Sequence, residues 1–85
     1  MIIIYSPRFA SMYRKLPLSI KRLAEERETV FRREPFNPSL NTHKLQGRLN
    51  GLWAFSIDYR HRIIFEFANK NLVYFHSVGT HEIYK

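Results

Sequence analysis

Residues Leu52–Phe67, with the sequence LWAFSIDYRHRIIFEF, decide the fold of this chain. Apolar and polar side chains alternate on both sides of a short basic segment, which predicts two β-strands with one apolar face and one more polar face. We expect the apolar side chains to form the core, and they are Trp53, Phe55, Ile57, Tyr59, Ile63, Phe65 and Phe67. The chain reverses at residues 59–62, so the polar face at Arg62 is where we expect chemistry.

The segments around this hairpin predict the remaining elements. Ser6 is a suitable helix cap and Pro7 suits a first helical turn, while Pro17 and Pro35 each end a helix. In order, the flanking elements are a strand, two helices, a long loop and a last strand, at Met1–Tyr5, 7–16, Leu18–Arg33, Pro35–Gly51 and Leu72–Val78.

This order of elements predicts a single α+β domain over residues 1–85. We expect the N-terminal strand and a two-helix hairpin to be packed on one face of a mainly antiparallel sheet that ends in a three-stranded meander. The N-terminal strand needs a hydrogen-bonding partner, so we expect it at an edge of the sheet or beside a later strand.

The composition favours an anionic partner. Lys and Arg number 14 against 7 Asp and Glu, so the formal net charge is +7, which favours nucleic acid first and an acidic protein second. The chain has no cysteine, which excludes disulfides, thiol nucleophiles and cysteine-bound zinc. No apolar run has the length of a membrane helix or of a signal-peptide core, so we expect a cytoplasmic protein without a membrane partner.

Short motifs follow one another in the second half of the chain. They read His43-Lys44-Leu45-Gln46-Gly47, Gly51-Leu52-Trp53, Ile57, His61-Arg62-Ile63, and Val78-Gly79-Thr80-His81 with Tyr84. In this order and at these separations they resemble the RelE/ParE superfamily of bacterial and archaeal toxins, most closely the YafQ and YoeB branches of the RelE-like ribonucleases. The looser strand–helix–helix beginning also fits, so the resemblance covers nearly the whole chain.

The resemblance implies the RelE-like microbial ribonuclease fold and the toxin of a type II toxin–antitoxin pair. Such a toxin enters the A site of the 30S ribosomal subunit, cleaves messenger RNA and thereby inhibits translation, and a cognate antitoxin protein blocks it. The implied reaction needs no metal and no other cofactor. The 2′-hydroxyl attacks the adjacent phosphate and leaves a cyclic phosphate end.

The resemblance also assigns roles to four candidate catalytic residues. His43 stands where YafQ-like toxins have a histidine and YoeB-like toxins a glutamate, which implies a general base. His81 matches the C-terminal histidine of both branches and is expected to be the general acid. Arg62 matches a strand arginine whose forked donors suit a phosphate. Tyr84 aligns with a C-terminal tyrosine of RelE and is expected to stack on a base or orient the 2′-hydroxyl.

Further residues are expected to bind RNA, and they are Lys44, Arg48, Arg60, His61 and Lys85. His61 also has a simpler interpretation as a turn residue, and His76 in a strand is expected to be structural. The sequence departs from the YafQ pattern at Ser56 and Arg60, and from the YoeB pattern at Glu82, where YoeB has a tyrosine. These departures leave open which of the two candidate histidines is the acid and which is the base.

Two other functions are compatible with the same resemblance. One is a ParE-like toxin that poisons DNA gyrase without cutting RNA, against which the two histidines at nuclease positions argue. The other is a degenerate homologue that only binds RNA or an antitoxin-like partner. A metal site built from the histidines lacks a helical His-x-x-x-His pair and a carboxylate cluster in the sequence.

Overall fold

A computed structural model describes residues 1–84, apart from the side chain of Tyr84. The strands are β1 (Ile2–Tyr5), β2 (His43–Lys44), β3 (Trp53–Ser56), β4 (Arg62–Asn69) and β5 (Leu72–Gly79). The α-helices are α1 (Pro7–Arg14) and α2 (Leu18–Arg33), and single 3₁₀ turns occur at Pro38–Leu40, Gly47–Leu49 and His81–Tyr84. Within these residues, neither helix has the length and apolar composition needed to cross a lipid bilayer.

The strands form one five-stranded mixed sheet in the order β1-β5-β4-β3-β2. Neighbours from β2 to β5 pair antiparallel, and β1 pairs parallel with β5 at one edge. The α+β prediction is therefore confirmed, including the C-terminal meander and the edge position of the first strand. The sequence did not predict β2, because two residues are too few to show a period of two.

The start of α1 is fixed to the sheet by the predicted cap. The Ser6 hydroxyl oxygen accepts a hydrogen bond from the Phe9 backbone N–H at 2.9 Å, which satisfies one of the donors that a helix start leaves unpaired. The same hydroxyl donates to the carbonyl of His76 in β5 at 2.8 Å. A single serine thus joins the first helix to the strand that leads to the C-terminal turn.

The core lies between α2 and the sheet, and phenylalanine rings form its centre. Phe31 of α2 is 0% exposed, and its ring centroid lies 4.7 Å from that of Phe55 and 4.9 Å from that of Phe65. Phe75 of β5 meets the same ring edge-on at 5.8 Å. Because these partners come from β3, β4 and β5, one side chain of the helix fixes the apolar face of three strands.

The opposite face of the sheet, which we call the second face, carries Ala54, Ser56, Arg62 and Ile64, since strand side chains alternate. Ile64 is buried on this face, and it lines a small hollow together with Leu49 of the long loop and Ile83 of the last 3₁₀ turn. The loop and the C-terminal turn therefore both pack on the second face.

One core expectation was wrong. β3 ends at Ser56, and Tyr59 lies in the β3–β4 turn with 91% of its surface exposed. The alternation breaks because the backbone N–H groups of Ile57 and Asp58 both donate to the carbonyl of His61, at 2.9 and 3.4 Å, which closes the turn. The other predicted core side chains of the hairpin are buried or packed against the core.

Replacing Phe31 by alanine is expected to lower the free energy of unfolding by about 3–5 kcal/mol, because the variant leaves a cavity among three strands. Phe36→Ala is the matched control, because Phe36 is 57% exposed and contacts only Trp53 and Phe67 among the aromatic rings of the described residues, so its loss should cost about 1–2 kcal/mol. Urea denaturation followed by tryptophan fluorescence measures both losses. Equal losses would show that the core is not organised around Phe31.

Candidate functional site

One open pocket of about 390 Å³ brings together three residues that are far apart in the sequence, His43, Arg62 and His81. The remaining lining residues come from the long loop and are Leu45, Gln46, Arg48 and Leu49. The two guanidinium groups of this pocket can bind an anion, and its two imidazoles can accept or donate protons.

Strand register explains why these side chains meet. His43 lies opposite Ala54, and Arg62 lies opposite Gly79. Ala54 and Arg62 both occupy the second face of the sheet, so His43 projects from the same face. His81 follows two residues after that glycine, at the start of the turn that packs on this face.

A backbone carbonyl fixes the tautomer of His43. Its Nδ1 lies 2.9 Å from the carbonyl oxygen of Asn41, and because a carbonyl only accepts, Nδ1 carries the proton. In the neutral ring, Nε2 then has a free lone pair. Asn41 has a left-handed backbone with φ of 53°, which asparagine tolerates better than most residues.

The loop before His43 is anchored at several points. Leu40 is fully buried, and the Thr42 hydroxyl donates to the carbonyl of Pro35 at 2.6 Å. The side-chain oxygen of Asn37 accepts from the backbone N–H of Ser39 at 2.9 Å. This segment therefore holds the histidine on a defined backbone rather than on a free loop.

Arg62 is held by the turn that precedes it. Its Nη1 donates to the carbonyls of Asp58, Tyr59 and His61 at 2.9, 3.3 and 3.3 Å. Among the described residues, every hydrogen bond of this guanidinium is donated by Nη1. Nε and Nη2 are therefore left for a ligand. One part of the side chain thus closes the turn while another part faces the pocket.

Asp58 organises the same turn. Its Oδ1 accepts from the backbone N–H groups of Arg60 and His61 at 2.9 and 2.7 Å, and from Nδ1 of His61 at 2.9 Å. Burial acts to raise the pKa of Asp58, but the hydrogen bonds from His61 and then Arg60 outweigh it and lower the pKa. No motif in the sequence indicates this role of Asp58, although an aspartate at the start of a tight turn is a known turn signal.

His81 is positioned through the residues on either side of it. The backbone N–H of Ile83 donates to the carbonyl of Thr80 at 3.0 Å, and the Ile83 side chain is buried on the second face. A Cβ atom on Gly79 would lie 2.7 Å from Cγ2 of Ile83, which is closer than any ordinary contact. The glycine thus allows the C-terminal turn to pack closely against the end of β5.

Other predicted RNA-binding residues lie in different surroundings. Arg48 lines the pocket, and Arg60 lines an adjoining hollow. Lys44 faces the opposite side of the sheet from its neighbour His43, with Nζ 5.5 Å from the centre of the Trp53 ring. His61 is bound to Asp58 within the turn.

The last predicted residues to be located are Tyr84, Lys85 and His76. Lys85 and the side chain of Tyr84 lie outside the described residues. His76 makes a 3.2 Å contact with Glu66, as a structural residue would. Within residues 1–84, no group of three or more His, Asp or Glu side chains forms a potential metal site.

Several solved structures of bacterial toxins share this fold. The YoeB/ParE toxin from Agrobacterium tumefaciens has a TM-score of 0.80 at 15% identity, over 95% of this chain and 99% of that chain. YafQ from E. coli strain BL21(DE3) has a TM-score of 0.76 at 20% identity, over 98% and 96% of the two chains. The YoeB-YefM complex from Staphylococcus aureus has a TM-score of 0.76 at 19% identity, over 95% and 97%.

The chain has the RelE-like toxin fold. No protein-family model and no curated protein matches its sequence. The fold resemblance inferred from the motifs is therefore confirmed by the structure comparison. In this RelE-like fold, the pocket that contains His43, Arg62 and His81 lies on the second face, at the end of the central hairpin.

Asp58→Ala is expected to lower the free energy of unfolding by about 1–2 kcal/mol near neutral pH, because it removes the acceptor of three hydrogen bonds. Asp58→Asn retains an acceptor oxygen and is expected to lose less. The folded state lowers the pKa of Asp58, so the ionised carboxylate stabilises the fold at pH values above the ordinary aspartate pKa. This stabilisation is lost as the pH falls through the lower pKa of the folded state.

Urea denaturation of wild type and both variants, from neutral pH down to about pH 3, measures this dependence. The difference in the free energy of unfolding between wild type and Asp58→Ala should become smaller at the acid end of the range. A difference that is constant, or that grows with acidity, would contradict the assigned role of the carboxylate.

Gly79→Ala is expected to destabilise the protein by about 1–3 kcal/mol and to displace the turn that carries His81, because the new methyl group meets Ile83. Two double variants test the contact. Gly79→Ala with Ile83→Ala removes the obstructing Cγ2 atom, whereas the control, Gly79→Ala with Ile83→Val, keeps it. The imidazole NMR signals of His81 should move in Gly79→Ala and return toward their original position only in the Ile83→Ala double variant. Unchanged His81 signals in Gly79→Ala would disprove the close contact.

Proposed function

We propose that this protein is the toxin of a type II toxin–antitoxin pair and that it is a metal-independent endoribonuclease. It cleaves messenger RNA in the A site of the 30S ribosomal subunit and thereby stops translation. The observation that carries the proposal is the meeting of His43, Arg62 and His81 in one open, cationic pocket. The RelE-like fold supports it, because solved structures with this fold include YoeB and YafQ.

The reaction begins with a proton transfer at His43. Its Nδ1 is held by the Asn41 carbonyl, so Nε2 of the neutral ring accepts the proton of the ribose 2′-hydroxyl. The 2′-oxygen attacks the adjacent phosphorus, and the bond between phosphorus and the 5′-oxygen breaks. The products are a 2′,3′-cyclic phosphate and a free 5′-hydroxyl.

The leaving 5′-oxygen requires a proton, which protonated His81 donates. The two histidines then have the opposite protonation states from those with which they began, and exchange with solvent restores both. The hydrogen bond from Nδ1 of His43 to a carbonyl supports this partition, because it presents an unprotonated nitrogen to the pocket.

Arg62 stabilises the pentacovalent phosphorane. Its Nη1 is engaged by the turn, so Nε and Nη2 are the donors that meet the phosphate oxygens as negative charge develops. Arg48 in the pocket and Arg60 beside it attract the RNA backbone, in keeping with the net charge of +7.

Tyr84 stacks on a base or orients the 2′-hydroxyl, and Lys85 attracts the RNA backbone. Lys44 lies over Trp53 on the other face of the sheet and His61 is held by Asp58, so neither contacts the cleaved RNA in this proposal. Because ribosome-bound messages are the substrate, the toxin acts in the cytoplasm.

A cognate antitoxin protein is the second expected partner. The YoeB-YefM and DinJ-YafQ complexes are solved structures with this fold that contain such a partner. With a net charge of +7, the chain favours an acidic or amphipathic antitoxin segment, and covering the cationic pocket would block access to RNA.

Replacing His43, Arg62 or His81 by alanine is expected to slow cleavage of ribosome-bound messages by about 10²–10⁴-fold, because each residue makes a contact that strengthens in the transition state. His76→Ala and Arg33→Ala are matched controls, because one is a histidine outside the pocket and the other an exposed helix arginine. Single-turnover cleavage on programmed ribosomes measures the rates, and growth arrest on induction provides the cellular readout.

Each alternative function has its own outcome in these experiments. Cleavage by all three alanine variants at the wild-type rate would reject the catalytic assignment. Growth arrest with intact messages and accumulation of cleaved gyrase–DNA complexes would indicate a ParE-like poison. Normal growth and intact messages on induction of the wild type would indicate a homologue that only binds.

A further inference from the structure

A second hollow, of about 360 Å³, adjoins the pocket. Its lining residues are Tyr59, Arg60, Arg62, Thr80, His81 and Glu82. Arg62 and His81 line both hollows, whereas His43 lines only the first. The two hollows therefore lie on either side of the same guanidinium–imidazole pair.

This arrangement fits the two sides of a phosphodiester. If the scissile phosphate lies at Arg62 and His81, the ribose whose 2′-hydroxyl meets His43 must occupy the first pocket. The nucleoside attached through the 5′-oxygen then extends to the other side, away from His43. That side is the second hollow, and His81, which donates the proton to the 5′-oxygen, borders it.

Tyr59 is the side chain in the second hollow best suited to hold a base. It is 91% exposed, although an exposed aromatic ring gains nothing from hydrophobic burial. Its backbone is nevertheless fixed, because its carbonyl accepts from Arg62 and the neighbouring turn N–H groups bind Asp58. A ring held out in solvent by a rigid turn is a suitable stacking platform for a nucleobase.

The arginines that line this hollow suit the RNA backbone, whereas its aromatic ring suits a base. Arg60, next to Tyr59 in the same hollow, is placed for the following phosphate.

We propose that the second hollow binds the nucleoside on the 3′ side of the scissile phosphate and that Tyr59 stacks on its base. This inference rests on the proposed ribonuclease function and adds a binding residue to it. Tyr59 touches the leaving nucleoside and takes no part in proton transfer.

The test compares two messages on programmed ribosomes. One is intact, and the other has an abasic ribose immediately 3′ of the cleaved bond. Wild type is expected to cleave the abasic message about tenfold or more slowly, because stacking on an aromatic side chain is lost. Tyr59→Ala should cleave both messages at the same reduced rate, whereas Tyr59→Phe, which keeps the ring, should behave as wild type.

Phe36→Ala is the matched control, because it removes a different exposed aromatic ring and should leave both rates unchanged. If the abasic site slows Tyr59→Ala by the same factor as it slows wild type, Tyr59 does not stack on that base. A uniform slowing that keeps the wild-type sensitivity would indicate contact with ribosomal RNA instead and would also overturn the proposal. Failure of the wild type to cleave either message would reject the ribonuclease function itself.

Discussion

The register of the central hairpin is the constraint on which the candidate site depends. In that register Arg62 lies between Ser56 of β3 and Gly79 of β5, and its side chain projects from the second face. A slip of one residue would turn Arg62 toward the helices and Ile63 toward solvent. The aromatic core prevents this slip, because Phe55, Phe65 and Phe75 must all meet Phe31. Packing on one face of the sheet therefore positions the charges on the other.

The β3–β4 turn contributes a second level of organisation. Asp58 closes it from one side through three hydrogen bonds, and Arg62 closes it from the other through Nη1. A cation used in this way loses less side-chain freedom when an anion arrives, because part of its conformation is already fixed. The same turn holds Tyr59 outward, so the phosphate-binding group and the exposed ring belong to one rigid unit.

Periodicity predicted most of the fold. The bounds of α2 followed from Pro17 and Pro35. The buried faces of β3 and β4 followed from apolar spacing, because that spacing reflects which side of a strand is buried. The same rule failed at Tyr59, where side-chain and backbone hydrogen bonds of the turn replace strand geometry. It also missed β2, although β2 decides that His43 faces the pocket while Lys44 faces Trp53.

The meeting of the site residues depended on information that no local pattern contains. Arg62 and His81 are neighbours because β4 pairs with β5, and His43 joins them because a two-residue strand adds to β3. The contact of Asn41 with His43 arises from a left-handed backbone at Asn41, which asparagine tolerates but does not require. Resemblance to a family supplied the candidates, and strand order brought them together.

The most direct test of the central claim is an NMR titration of the imidazole signals with a nucleoside 3′-monophosphate. If His43, Arg62 and His81 form one phosphate site, the signals of both histidines should shift with a single shared Kd. His76 should stay in place, and Arg62→Ala should abolish both shifts. Signals of His43 and His81 that do not respond, or that follow two different Kd values, would contradict a common site.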